Sequence, residues 1–150
     1  MKAVLQRVSS ASVSINGIIH SKIDNGLLIL LGIETLDDEN DINWLTQKIT
    51  SMRIFSDPDG KMNVSVKDIG GELLIVSQFT LHALTAKGNR PSFITAARPE
   101  QAIPLYQKFI QECDLLMEKE SRTGVFGADM QVSLINDGPV TIIIDSKNRI

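Results

Sequence analysis

Eight residues, GLLILLGI at 26–33, constrain the fold of this chain more than any other stretch. The run is continuously apolar and strand-sized, and it opens on Asn25-Gly26, a pair that readily turns the backbone. It reads as a strand buried on both faces, which belongs in the interior of a domain. The chain has 150 residues, 43% apolar and 22% charged, an ordinary balance for one domain that folds unaided.

Shorter strands surround that run. Residues 3–8 and 12–15 carry the Val, Ile and Ser content of two strands, and Asn16-Gly17 marks a two-residue hairpin between SVSI and IIHSKI. The period then changes. Ile42, Leu45, Ile49 and Met52 recur at helical spacing, with Asp37, Asp38, Glu39 and Asp41 at the helix start, where the macrodipole favours negative charge. Asp57-Pro58-Asp59-Gly60 and Gly70-Gly71 are turns, and ELLIVSQFTL after them is an apolar strand running into polar residues. Residues 82–98 lack a period and read as a basic surface loop. A second helix carries Ala102, Leu105, Tyr106, Phe109, Ile110, Cys113, Leu116 and Met117 on one stripe. Pro99 suits its first position, while Pro104 predicts a kink or a later start. Two closing strands are expected at 129–135 and 139–145, separated by Asn136-Asp137-Gly138-Pro139. The expectation is one α+β domain.

No apolar run approaches the roughly 20 residues that span a bilayer, and the N-terminus lacks a signal-peptide core. A single cysteine, Cys113, excludes an internal disulfide framework and fits a reducing compartment, so a cytosolic protein is expected. The net charge of −3 means that any RNA contact must be local, because phosphate neutralisation normally calls for a basic surface.

Conventional catalytic sets are scarce. His20 flanks a turn, and His82 follows the SQFTL strand without a local acidic partner, so both read as solvated. Cys113 sits on an apolar stripe, where a thiol is buried and inert. One Cys and two distant His give no zinc spacing, no metal or other cofactor is called for, and the glycines match neither a P-loop nor a dinucleotide fingerprint. Three polar patches in apolar surroundings stand out. Ser77-Gln78-Phe79-Thr80 either is a strand leaving the core or offers N–H and hydroxyl groups to an oxyanion. Gly138-Pro139 either is a plain turn or holds a cis peptide for function. Arg90-Pro91-Ser92-Phe93 either is a solvated loop or forms a phosphate-binding edge.

Together these patches resemble the D-aminoacyl-tRNA deacylase family, and the resemblance runs the length of the chain. It includes LQRVSSASV at 5–13, RIFSDPDGKMN at 53–63, VSQFTL at 76–81, GNRPSF at 88–93 and TGVFGADMQVSLINDGPVT at 123–141. The resemblance implies a compact, β-rich fold with a barrel-like core of mixed and antiparallel sheets and two long helices. It also implies a homodimer with two interface sites. The substrate would be aminoacyl-tRNA, held by its 3′-terminal aminoacyl-adenosine, and the ester of a D-amino acid would be hydrolysed; whether glycyl-tRNA is cleared stays open. A cis Gly138-Pro139, braced by Arg7, would enter the partner's pocket and exclude L side chains by its carbonyls. Phe126 and Met130 match pocket walls, and Ala102 matches a small residue beside the terminal adenine. Lys87, Arg90 and Arg98 are candidates for tRNA contact. Ser77, Gln78, Phe79 and Thr80 would be the catalytic segment, with Thr80 either a nucleophile or a bystander to catalysis assisted by the RNA 2′-hydroxyl. Two other classes stay open: a tRNA-binding module without catalysis, and a hydrolase of free D-amino-acid esters.

Overall fold

In the computed structural model, which describes residues 1–150, the GLLILLG segment lies in the middle of a six-stranded mixed sheet. The elements run β1 Lys2–Ile15, β2 Ile18–Ile23, β3 Gly26–Gly32, α1 Glu39–Ser51, β4 Phe55–Ser56, β5 Met62–Val64, β6 Glu72–Ser77, α2 Pro99–Met117, β7 Arg122–Thr123 and β8 Gln131–Asp145. The order is β2-β1-β3-β6-β7, with β8 on β1 and a separate β4-β5 pair. β1 is antiparallel to β2, β3 and β8, whereas β3-β6 and β6-β7 are parallel.

The sheet curls until its ends approach: the Ser21 hydroxyl of β2 donates to the Thr123 carbonyl of β7 at 2.8 Å. This gives a barrel-like shape with apolar groups on both sides of β3. Leu27, Ile29 and Leu31 face the two helices, where Ile42, Leu45, Ile49, Tyr106 and Phe109 complete the larger core. Leu28 points the other way, into a second cluster with Val8, Ala11, Val13, Ile23, Leu74 and Val76. Close strand approach requires Gly26, since a Cβ there would stand 1.9 Å from the Glu72 carbonyl oxygen. No helix is long and apolar enough to cross a membrane.

Three expectations are corrected. Residues 3–8 and 12–15 are one strand, β1, because β8 pairs along its whole length and register shifts at Gln6/Val8 and Val8/Ser10 absorb the irregularity. The closing strands at 129–135 and 139–145 are likewise one strand, β8, running through Asn136-Asp137-Gly138-Pro139. Helix α2 starts at Pro99 and not later, and it continues through Pro104 to Met117.

The acidic residues before α1 do more than complement its dipole. Asp38 caps the helix in a box with Asp41. Asp37 and Asp41 are buried, at 6% and 3% exposure. The Met1 ammonium donates to Asp37 and to Ser146 Oγ, and Ser146 Oγ and Lys147 Nζ each donate to Asp41 at 2.7 Å. Burial alone would raise the Asp41 pKa, but hydrogen bonds from Lys147, the Asp38 N–H and Ser146 outweigh it and lower it from 3.8 to about 2. A folded pKa below the unfolded one stabilises the fold above about pH 4, and this contribution is lost as the pH falls towards 2. A shift of this size contributes about 2 kcal/mol. Denaturant unfolding at stepped pH is therefore expected to show the wild type losing about 2 kcal/mol more than Asp41→Asn between about pH 5 and 2.

Candidate active site

A cleft of about 320 Å³ opens at the carboxyl ends of β3 and β6, the place where parallel strands usually receive ligands. Leu31 and Ile33 supply one side from β3 and its extension, and Val76, Ser77, Gln78 and Phe79 supply another from β6 and beyond. The chain leaves the sheet there. The Gln78 N–H donates to the Leu31 carbonyl at 2.7 Å, and Phe79–His82 then wind into a 3₁₀ turn. As its first residues, Phe79 and Thr80 have N–H groups with no acceptor inside the turn. Phe79 is 54% exposed, and its ring meets Phe93 edge-on at 5.1 Å.

The Thr80 hydroxyl accepts from the Gln78 side-chain amide. An amide N–H cannot take a proton from a hydroxyl, so this contact orients Thr80 without activating it. His82 is no substitute. Contrary to the expectation of a solvated loop residue, it is 3% exposed, with its ring against Gly32 and Nδ1 at 3.9 Å from Glu34. His20 is exposed. Cys113 is fully buried, and burial, with Asp114 and Glu112 nearby, pushes its thiol well above the ordinary range.

The other walls come from elsewhere in the chain. Ala102, on the second turn of α2, is small and buried where a longer side chain would fill the cleft. Phe126 is backed by Tyr106 at 5.7 Å between ring centroids, and the Tyr106 hydroxyl donates to the Ile75 carbonyl at 2.8 Å. Met130 and Val132 complete the far wall. Thr80 does not line the cleft, and sequence reasoning missed Leu31, Ile33, Val76, Ala97, Gly127, Ala128, Asp129 and Val132, which do. Asp129 lies inside the FGADM stretch that supplied Phe126 and Met130, so that stretch carried a signal for it.

Gly138 and Pro139 do not line this cleft. They are exposed on β8, joined by a cis peptide, with Gly138 at φ +125°. Arg7 reaches them from β1: Nε donates to the Asp137 carbonyl at 3.1 Å and Nη1 to the Ile54 carbonyl at 2.7 Å. Ile54 was not foreseen. Lys87 and Arg90 are exposed on the loop beyond the Leu84–Ser92 bridge, while Arg98 is the N-cap of α2, next to Ala97 on the cleft wall. No three His, Cys, Asp or Glu side chains cluster as a metal site.

The family model for D-Tyr-tRNA(Tyr) deacylase matches residues 4–145. The chain belongs to that family. Curated family members agree over nearly all of both chains. The D-aminoacyl-tRNA deacylases of Flavobacterium psychrophilum and Cytophaga hutchinsonii are 63% and 64% identical over 149 residues, covering 99% of each chain. Among solved structures, a c-Myc DNA unwinding element binding protein superimposes with TM-score 0.91 at 42% identity, covering 97% of this chain and 98% of that one. A probable eukaryotic D-amino acid tRNA deacylase has TM-score 0.79 at 15% identity, covering 95% and 97%, and shares the deacylase fold.

Proposed function

We propose that this chain hydrolyses the ester linking a D-amino acid to the 3′-terminal adenosine of tRNA, in the cytosol, as a homodimer. The observation that carries the reading is the cleft itself. One small apolar pocket gathers Ser77, Gln78, Phe79, Ala102, Phe126 and Met130 from three distant parts of a chain whose family is that of D-Tyr-tRNA deacylases.

The chemistry follows from what the site offers. Water attacks the ester carbonyl, the free N–H groups of Phe79 and Thr80 stabilise the oxyanion, and the adenosine 2′-hydroxyl relays a proton to the departing 3′-oxygen. Positioning suffices because an aminoacyl ester is labile already. Chirality is assigned to Gly138-Pro139 of a second copy. Their exposure, and their absence from the cleft of their own chain, leave them free to enter another's. Ile135 and Ile143 on the same strand are 61% and 74% exposed and provide apolar surface for that contact. Light scattering at assay concentration is expected to give the dimer mass, and an active monomer would refute this arrangement.

The decisive assay compares D-tyrosyl-tRNA, L-tyrosyl-tRNA and a simple D-tyrosine ester. Release of amino acid from the first alone is expected. Release from the simple ester would make the chain a general D-ester hydrolase, and tRNA binding without release would make it a binding module. Recognition of tRNA is assigned to the local edge of Lys87, Arg90 and Arg98. Reversing both Lys87 and Arg90 to Glu is expected to weaken tRNA binding about tenfold or more and to flatten its salt dependence. Unchanged affinity in a filter-binding titration would return that loop to solvent.

A further inference from the structure

One glycine underlies the turn that carries the Phe79 and Thr80 N–H groups. Gly32 is buried at the carboxyl end of β3, between the cleft residues Leu31 and Ile33. A Cβ built there would stand 2.9 Å from the Gln78 carbonyl oxygen and 3.0 Å from both Leu81 Cβ and His82 Cδ2. All three atoms belong to the 3₁₀ turn at Phe79–His82 or to its N-cap, Gln78. The Gln78 carbonyl and the Phe79 N–H share one planar peptide, so neither turns without the other. We infer that Gly32 and His82 are positioning residues: together they form the seat that aims the Phe79 N–H at the oxyanion. This rests on the deacylase reading above, in which that N–H stabilises the developing charge.

Gln78, at φ −146° and ψ 78°, swings the peptide away from the strand direction. Its N–H donates to the Leu31 carbonyl at 2.7 Å, and its carbonyl accepts from the Leu81 N–H at 3.2 Å. Gly32 supplies the remaining support, because without a Cβ it lets the carbonyl lie directly against β3. His82 clamps the far end of the turn. It is 3% exposed, with its ring over Gly32, yet the ring makes no hydrogen bond within the protein: Nε2 has no partner, and Nδ1 is 3.9 Å from Glu34 Oε2. What the imidazole contributes here is volume. A methyl group at position 32 forces strand and turn apart. The Gly32 backbone is outside the left-handed region, so the clash alone opposes alanine. β3 is paired on both sides there, Gly32 with Lys2 of β1 and Leu31 with Ser77 of β6, whereas Phe79 and Thr80 of the turn are exposed. Whichever side yields, the Phe79 N–H shifts relative to Leu31 and Ile33, and so relative to an ester in the cleft.

The test compares wild type, Gly32→Ala and His82→Ala, with thermal unfolding checked for each. Three quantities are read: the single-turnover rate on D-tyrosyl-tRNA and the Kd of two analogues. One is the planar D-tyrosyl amide of 3′-amino-3′-deoxyadenosine. The other is a phosphonate whose anionic tetrahedral centre stands in for the oxyanion, so that it reports transition-state binding. Gly32→Ala is expected to slow hydrolysis and weaken the phosphonate about tenfold or more, somewhat less than the loss of a whole oxyanion donor, while the amide Kd stays within about threefold. His82→Ala is expected to show the same split at about fivefold, and it decides the matter if Gly32→Ala fails to fold. Equal weakening of both analogues, or unchanged rates, would overturn the inference. So would a slow His82→Ala enzyme with wild-type phosphonate affinity, which would make the histidine a proton-transfer group. Wild-type enzyme inert towards D-tyrosyl-tRNA would instead remove the deacylase reading, and this inference with it.

Discussion

Gly138→Ala is expected to lower turnover of D-aminoacyl-tRNA about a hundredfold, the scale on which a misplacement of about 1 Å acts in an active site. The cause is local. A Cβ at 138 would lie 2.9 Å from Arg7 Nη2 and 3.0 Å from Val140 Cγ2, on a backbone with φ +125° that L side chains rarely adopt. Neither neighbour yields cheaply. Arg7 is tied to the Ile54 and Asp137 carbonyls, and Val140 packs against the main core. The dipeptide itself must shift, along with the carbonyls assigned to reject L substrates. The loss should appear in turnover and in the D-to-L ratio more than in stability, since residue 138 is exposed and outside either core. Arg7→Ala should reproduce part of the effect by releasing Asp137. Wild-type turnover and chirality in Gly138→Ala would sink the assignment of selectivity to this motif.

The same region shows where sequence reasoning reaches its limit. Asn-Asp-Gly-Pro has the composition of a turn, and residues 9–11 fall between the strands expected at 3–8 and 12–15, so both read as breaks. Strand continuity is decided instead by pairing: β8 pairs with β1 on both sides of the dipeptide, over Gln131–Asn136 and Thr141–Asp145, and register shifts absorb the unpaired residues 137–140 between them. Periodicity did locate GLLILLG, both helices and the first hairpin, because each depends on its own residues. His82 was misjudged for the opposite reason. Its burial depends on Gly32, which lies 50 positions earlier and leaves space for the imidazole, and on Glu34 beside it. In the cleft, Phe126, Met130 and Ala102 were legible through motif resemblance. Leu31 and Ile33 were not, because in sequence they look like any other core residue. Their place at the cleft is a consequence of β3 and β6 ending side by side.

The largest effect is expected from the substrate and not from the protein. A tRNA ending in 2′-deoxyadenosine, charged with the same D-amino acid on its 3′-oxygen, should be hydrolysed about 10²–10⁴-fold more slowly, the usual contribution of a positioned proton-transfer group. Thr80→Ala should cost less than about tenfold, the scale of one lost neutral hydrogen bond. The asymmetry follows from the site. The group bonded to the Thr80 hydroxyl is the Gln78 amide, a donor, and His82 is buried against Glu34. Cys113 is sealed in the core, with its thiol protonated at neutral pH. Thr80 therefore lacks a proton acceptor, while the vicinal hydroxyl of the substrate adjoins the bond being broken. The backbone N–H groups at Phe79 and Thr80 survive truncation of the threonine side chain, so oxyanion stabilisation survives with them. Single-turnover rates on the two tRNAs with the two enzymes would decide the matter. A Thr80→Ala enzyme as slow as buffer, or a covalent aminoacyl adduct on Thr80 by intact mass, would make threonine the nucleophile and leave the 2′-hydroxyl a binding group.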